Sequence, residues 1–110
     1  MKDEKKALAY IGFARKSRQL VSGEFAVENA VKQNKAVVVV LASDASDNTK
    51  KKFRNMTENR GIPLFFIADK ARLGRALGTE IRASLAVTGR ELGQAVINAL
   101  SEKKDRGGDE

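Results

Sequence analysis

The run AVVVVLA at residues 36–42 is an unbroken apolar stretch dominated by β-branched valines. Turn formers follow it at once, from Ser43 to Asn48. A short β-branched run that ends in turn formers is typical of a strand buried on both faces. Such a strand needs helices above and below it, which predicts an α/β layer domain. In sheets of this kind, binding sites gather at the carboxyl ends of the strands.

Helical and strand patterns alternate along the rest of the chain. Helices are predicted over residues 3–18, from about 23 to 34, over 49–60 and 69–77, and in a last segment that ends at Leu100, with strands at 20–21, 36–42, 62–68 and 85–87. This order predicts a three-layer α/β/α sandwich around a four-stranded mixed sheet. We expect one domain over residues 1–102 and, because residues 103–110 have no aliphatic or aromatic side chain, a disordered tail there.

Composition excludes most catalytic and cofactor sites. The chain has no cysteine and no histidine, so it lacks thiolate nucleophiles, the usual zinc ligands and the side chain best suited to proton transfer near pH 7. We therefore expect no enzyme and no cofactor. The apolar runs are too short to span a bilayer, and the charged start of the chain does not resemble a signal peptide. These features predict a cytoplasmic protein that stays off the membrane.

Charge indicates an anionic partner. Lys and Arg total 21 against 14 Asp and Glu, a formal charge of +7. The cations stand near three predicted turns: Arg15, Lys16 and Arg18 before Ser22-Gly23; Lys50, Lys51, Lys52 and Arg54 after the central strand; Lys70, Arg72, Arg75 and Arg82 around Gly78. If these turns converge, the cations form a phosphate-binding rim. Aromatic residues are few, which favours folded RNA over an extended single strand.

Three acids also lie at predicted strand exits. Asp44, Asp47 and Asp69 could form a metal or catalytic cluster, but turn formation and helix capping are the commoner roles of aspartate at such positions. We favour turn formation and capping over a metal or catalytic cluster. Asp47 or Asn48 is the predicted cap of the third helix, and Ser22 is the predicted cap of the second.

Several short motifs occur together in order. They are Leu20-Val21-Ser22-Gly23, Lys35-Ala36 into 37–41, Ala42-Ser43-Asp44-Ala45, Gly61-Ile62-Pro63, Leu73-Gly74-Arg75-Ala76-Leu77-Gly78 and Leu85-Ala86-Val87-Thr88. Jointly they resemble the superfamily of the ribosomal proteins L7Ae and L30e, from about residue 7 to residue 100. Within it the chain is most similar to the small bacterial YlxQ-like proteins.

The resemblance implies RNA binding, typically at a kink-turn, which is a sharply bent duplex. It implies that Gly23 permits close backbone approach, that Glu24 and Asn29 lie on the helix that meets the base edges, and that residues 80–84 cover an extruded nucleotide. Together with the cationic rim, the predicted RNA-binding residues are Arg18, Ser22, Gly23, Glu24, Asn29, Lys50, Lys70, Glu80, Ile81, Arg82, Ala83 and Ser84. Ile81 is expected to supply apolar contact, and Arg82 a phosphate or stacking contact.

The chain departs from the family pattern on the second helix. Kink-turn binders carry a polar pair two and three residues after the glycine, where this chain has Phe25 and Ala26, and a lysine where it has Asn29. Another RNA bend or junction, on ribosomal RNA for example, is therefore an alternative target. We expect a monomer that binds structured RNA and is associated with the ribosome. The alternative function is a protein-interaction module of the same fold, which an exposed Phe25 would favour.

Overall fold

A computed structural model describes residues 2–101 and confirms the predicted order of five helices and four strands. The elements are α1 (Glu4–Lys16), β1 (Leu20–Ser22), α2 (Glu24–Lys32), β2 (Val38–Ala42), α3 (Asp47–Arg60), β3 (Leu64–Ile67), α4 (Lys70–Ala76), β4 (Ser84–Val87) and α5 (Arg90–Leu100). The predicted domain boundary at residue 102 and the predicted tail at 103–110 lie outside the described residues.

The strands form one mixed sheet in the order β1-β4-β2-β3. β2 pairs in parallel with β3, and β4 pairs antiparallel with both β1 and β2. β1, β2 and β3 therefore run in one direction, and β4 runs antiparallel to them. β2, the strand predicted from the valine run, lies inside the sheet with all five residues buried, which confirms the prediction that both its faces are covered.

Helices cover the two faces of the sheet and form two separate cores. On one face, α1, α4 and α5 pack against the sheet around Ile11, Leu73 and Val96. On the other face, α2 and α3 pack against it around Val31 and Phe53. Consecutive residues of β2 alternate between the two cores, as the two-residue period of a strand requires. The predicted α/β/α sandwich is therefore correct.

Two predicted helix caps are wrong. Ser46, not Asp47 or Asn48, caps α3, since its side chain accepts a hydrogen bond from the Thr49 N–H. Gly23, not Ser22, is the N-cap residue of α2, and no side-chain hydrogen bond from the described residues caps that helix. In both cases the true cap is next to the predicted one, because serine, aspartate, asparagine and glycine all suit that position.

The helices of the described region are too short or too polar to cross a bilayer. The longest, α3, has 14 residues, whereas a spanning helix needs about 20 apolar ones.

Candidate functional site

One end of the sheet gathers the carboxyl ends of β1, β2 and β3 and the amino end of β4. We call it the Gly23 end and define it by residues 22–23, 43–44, 68–70 and 80–84. α2, α3 and α4 all begin there, so their positive dipole ends point to the same side of the molecule. This convergence follows from the strand directions alone.

Hydrogen bonds connect the segments of the Gly23 end. The Gly23 N–H donates to the Ser84 carbonyl at 3.0 Å, and the Arg82 N–H donates to the Lys70 carbonyl at 3.0 Å. The Lys70 N–H in turn donates to Asp44 Oδ1 at 2.9 Å. Four segments that are distant in the sequence are therefore held as one surface. Of the predicted site residues, the structure brings together Ser22, Gly23, Glu24, Lys70, Glu80, Ile81, Arg82, Ala83 and Ser84.

Arg82 is fixed at the centre of this surface. It is half-buried, its Nε–H donates to Ser22 Oγ at 3.1 Å, and one of its amino groups donates to the Ile81 carbonyl at 3.0 Å. Within residues 2–101, no carboxylate oxygen lies within 4.0 Å of its guanidinium. A guanidinium that is positioned by neutral groups keeps its charge and its remaining N–H donors for an external anion.

A groove of about 230 Å³ lies beside Arg82, between α1, β1 and the loop before β4. Its lining residues are Arg15, Leu20, Ser22, Leu77, Thr79 and Arg82. The Arg15 guanidinium carbon is 3.7 Å from the position that a Cβ would occupy on Gly78, so Arg15 lies against the turn that follows α4. Arg15 therefore extends the cationic surface, although the sequence only placed it within a group of three cations.

Gly23 has a backbone conformation that only glycine adopts readily, with φ +94° and ψ 149°. Among residues 2–101, no atom lies within 4 Å of the point where a Cβ would stand on it. The space in front of Gly23 is therefore open, and a ligand can approach the backbone there closely.

Lys52 is occupied by acids of the neighbouring helix. Its Nζ lies 2.7 Å from Glu28 Oε1 and 3.0 Å from Glu24 Oε2, and these contacts join α3 to α2. The hydrogen bond from Lys52, followed by that from Lys32, lowers the pKa of Glu28, and the bonds from Glu28 and Glu24 raise the pKa of Lys52. Because folding lowers the pKa of Glu28, its ion pairs stabilise the folded protein fully at pH values above the ordinary carboxyl pKa. This stabilisation is lost as the pH falls through the lowered pKa of the folded state.

The side chain of Glu24 is thus held towards α3, although the resemblance places it at base edges. Asn29 is half-buried and one turn further along α2 than Phe25, whose side chain is 78% exposed. Ile81, in the loop before β4, is 55% exposed. Two large apolar side chains therefore stand in solvent at or beside the Gly23 end.

Lys50 lies in the first turns of α3, with its Nζ 5.8 Å from the centre of the Phe66 ring. Arg54, one helical turn later, approaches the same ring at 5.5 Å. Both cations thus lie over β3, at the side of the molecule away from β1. Lys50 is on the same end as Gly23, but at the far edge of the sheet.

Arg18 is not brought to the Gly23 end. It precedes β1, and the next residue, Gln19, accepts hydrogen bonds from the N–H groups of Thr88 and Gly89 at the opposite end of the sheet. Arg18 itself has φ +62°, in the turn between α1 and β1. The expectation that it shares one rim with Arg82 is therefore wrong: an arginine just before a strand lies at the end where that strand begins.

Two of the acids at the strand exits accept hydrogen bonds from backbone N–H groups. Asp69 caps α4 by accepting from the Arg72 N–H at 2.8 Å, and Asp44 accepts from Lys70 N–H. Asp47 is the first residue of α3 and does not cap it. Within residues 2–101, no group of three acidic side chains is arranged to hold a metal ion. Capping is thus confirmed for Asp69 and a turn role for Asp44, while the role predicted for Asp47 is wrong.

The sequence and the fold of this chain are similar to those of known proteins. The family described as "Ribosomal protein L7Ae/L30e/S12e/Gadd45 family" matches residues 5–98. The chain belongs to this family. Two relatives are both named RNA-binding protein YlxQ: that of Bacillus subtilis (strain 168) is 34% identical over 90 residues, 82% of this chain and 90% of the relative, and that of Enterococcus faecium is 32% identical over 76 residues, 69% and 74%.

Two solved structures are similar to this family member. A Bacillus halodurans C protein of unknown function has a TM-score of 0.83 at 32% identity, with 86% of this chain and 95% of the other covered. The Giardia lamblia 15.5kD RNA binding protein has a TM-score of 0.76 at 23% identity, with 87% and 82% covered. The second likeness supports the fold alone. Together these matches confirm the resemblance and the fold that the sequence predicted.

Proposed function

We propose that this protein is a non-catalytic RNA-binding protein that holds a kink-turn-like or otherwise bent RNA at its Gly23 end. It acts as a monomer in the cytoplasm, on ribosomal RNA or another RNA associated with the ribosome. Two YlxQ relatives of at least 32% identity carry the name RNA-binding protein, which supports the RNA partner. The absence of cysteine and histidine is in keeping with a protein without catalytic chemistry.

The observation that carries this proposal is the placement of Arg82. Its guanidinium is positioned by Ser22 Oγ and the Ile81 carbonyl, it has no carboxylate partner among residues 2–101, and it stands next to the open space at Gly23. A tight bend in RNA crowds phosphates together. A protein that neutralises them while it contacts the bent form shifts the RNA towards that form.

The salt dependence of RNA binding tests the cationic surface. We expect the double variant Arg15→Ala/Arg82→Ala to bind a kink-turn RNA more weakly, and to lower the slope of log K against log salt by about 0.7–0.9 for each phosphate contact that is lost. The measurement is a filter-binding titration at several salt concentrations.

The matched control removes two exposed cations from the opposite end of the sheet. Lys35→Ala/Arg90→Ala changes the net charge by the same amount, and both side chains are exposed beside the start of α5. We expect this control to keep nearly the wild-type slope. Equal losses in the two double variants would show that only total charge matters and would reject the Gly23 end as the site.

A protein-interaction module of the same fold is the second candidate, favoured by the 78% exposure of Phe25. A large apolar side chain in solvent is a common feature of protein contacts. Affinity capture of the full chain, with and without ribonuclease, separates the two functions. Partners lost after ribonuclease support the RNA-binding function, and partners retained at full level support the protein-interaction module.

A further inference from the structure

Phe25 is the most exposed large apolar side chain of the described region, and its position is fixed by the helix that carries it. Val27, Ala30 and Val31 of α2 are buried against the sheet. Because successive residues of a helix are rotated by about 100°, Phe25 projects away from the sheet, on the solvent side of the first turn. A rigid ring is thus presented beside the open space at Gly23.

The polar side chains of α2 leave little hydrogen-bonding capacity next to this ring. Glu24 and Glu28 are both bound to Lys52, and Glu28 also to Lys32 at 3.1 Å. Asn29, four residues after Phe25, is the remaining uncharged polar side chain on the same face. The amino-terminal half of α2 is therefore poorly equipped to read the edges of base pairs, whereas it is well equipped for contact with a flat apolar surface.

The surroundings of Phe25 favour a nucleic-acid base over an apolar protein surface as that contact. Arg82, whose Nε–H donates to Ser22 three residues before Phe25, has no carboxylate partner among residues 2–101, and α2 begins at the same end with its positive dipole end. Unpaired RNA bases stack on aromatic side chains while their phosphates are bound by nearby cations. An unpaired nucleotide supplies both the ring and the negative charge.

We infer that Phe25 is a stacking platform for one unpaired RNA base, and that α2 selects RNA through this stacking contact rather than through hydrogen bonds to base-pair edges. The inference rests on the proposed function and specifies the structural element that the RNA must offer. A base is available for stacking in a bulge or a junction, but not in a continuous duplex.

The test compares side chains at position 25 on a bulged RNA hairpin and on the same hairpin without its bulge, in equilibrium titrations of the full chain. Phe25→Ala and Phe25→Leu are expected to weaken binding of the bulged hairpin by about 5- to 150-fold, the range measured for loss of one stacked base. Phe25→Tyr should retain wild-type affinity, since its ring also stacks. The affinity for the bulge-free hairpin and the salt slope should stay unchanged in all three variants.

Phe13→Ala is the matched control. Phe13 is exposed too, to 57%, but it lies on α1, which packs on the other face of the sheet. We expect this variant to bind both hairpins as the wild type does. A leucine variant with full affinity would overturn stacking. Full affinity of Phe25→Ala for the bulged hairpin would also overturn it. If that variant in addition loses a protein partner that stays bound after ribonuclease treatment, Phe25 contacts protein instead of RNA. If the wild type binds neither hairpin, the proposed function fails along with this inference.

Discussion

At the scale of single residues, Gly23 makes the sharpest prediction. Its φ of +94° with ψ of 149° belongs to a region that other residues avoid, so Gly23→Ala strains the backbone even though a Cβ would meet nothing within 4 Å in the described structure. We expect a loss of about 1–3 kcal/mol in the free energy of unfolding and weaker RNA binding, because the backbone of the turn must shift. Urea unfolding and RNA titration measure the two effects.

Gly12→Ala is the control for this variant. Gly12 lies inside α1 and the nearest atom to an added Cβ, the Ala76 carbonyl oxygen, would be 3.7 Å away, an ordinary contact. We expect this variant to be as stable as the wild type or up to about 1 kcal/mol more stable, with unchanged RNA affinity. Full RNA affinity in a folded Gly23→Ala protein would show that the first turn of α2 does not contact the RNA.

The sequence alone could predict some of these residues and not others. The turn at Gly23 follows from a Ser-Gly pair between two apolar patterns, so its place was predictable. The bond from Arg82 to Ser22 joins residues that are 60 positions apart, and no local pattern contains it. Similarly, the pairing of Lys52 with Glu24 and Glu28 depends on how two helices pack side by side.

At the scale of elements, α4 positions the loop that precedes β4. Gly74 is buried, and a Cβ added to it would lie 2.5 Å from the Glu80 carbonyl oxygen and 2.6 Å from the Ile81 Cα. The absence of a side chain thus lets the loop rest directly on α4. The Thr79 N–H also donates to the Gly74 carbonyl at 2.8 Å, which fixes the turn out of the helix.

We therefore expect Gly74→Ala to displace residues 80–84 and to weaken RNA binding, with a loss of about 1–3 kcal/mol in the free energy of unfolding from overpacking. Thermal unfolding and RNA titration are the measurements. Gly93→Ala is the control, since an added Cβ would lie 2.5 Å from Val37 Cγ1 at the opposite end of the sheet. A comparable loss of stability with intact RNA binding is expected there. If both variants lose affinity equally, the loop has no special role.

Element type and order were predictable because each helix and strand has its own periodicity, and the valine run of β2 is bounded on both sides. The residues that cap the helices were less predictable. Ser46 and Gly23 each stand beside another residue that caps well, and the choice depends on backbone angles that the sequence does not specify.

At the scale of the whole molecule, the strand order decides what the protein can bind. β4 is the last strand in sequence but lies between β1 and β2, so residues 80–84 meet Gly23 on one side and Ala42 on the other. If β4 lay at another position in the sheet, these segments would be apart. Sequence patterns do not fix such long-range pairings, which is why the separation of Arg18 from Arg82 could not be predicted from the chain alone.

Amide chemical-shift mapping by NMR directly locates the RNA-binding surface, which we place at the Gly23 end. The labelled full-length protein is titrated with a bulged RNA hairpin at moderate salt. We expect the largest shifts at residues 22–25, 43–44, 68–70 and 79–84, with small shifts around Lys35 and Gly89. Shifts concentrated at Lys35, Gly89 and Arg90, or spread evenly over all exposed cations, would contradict this placement.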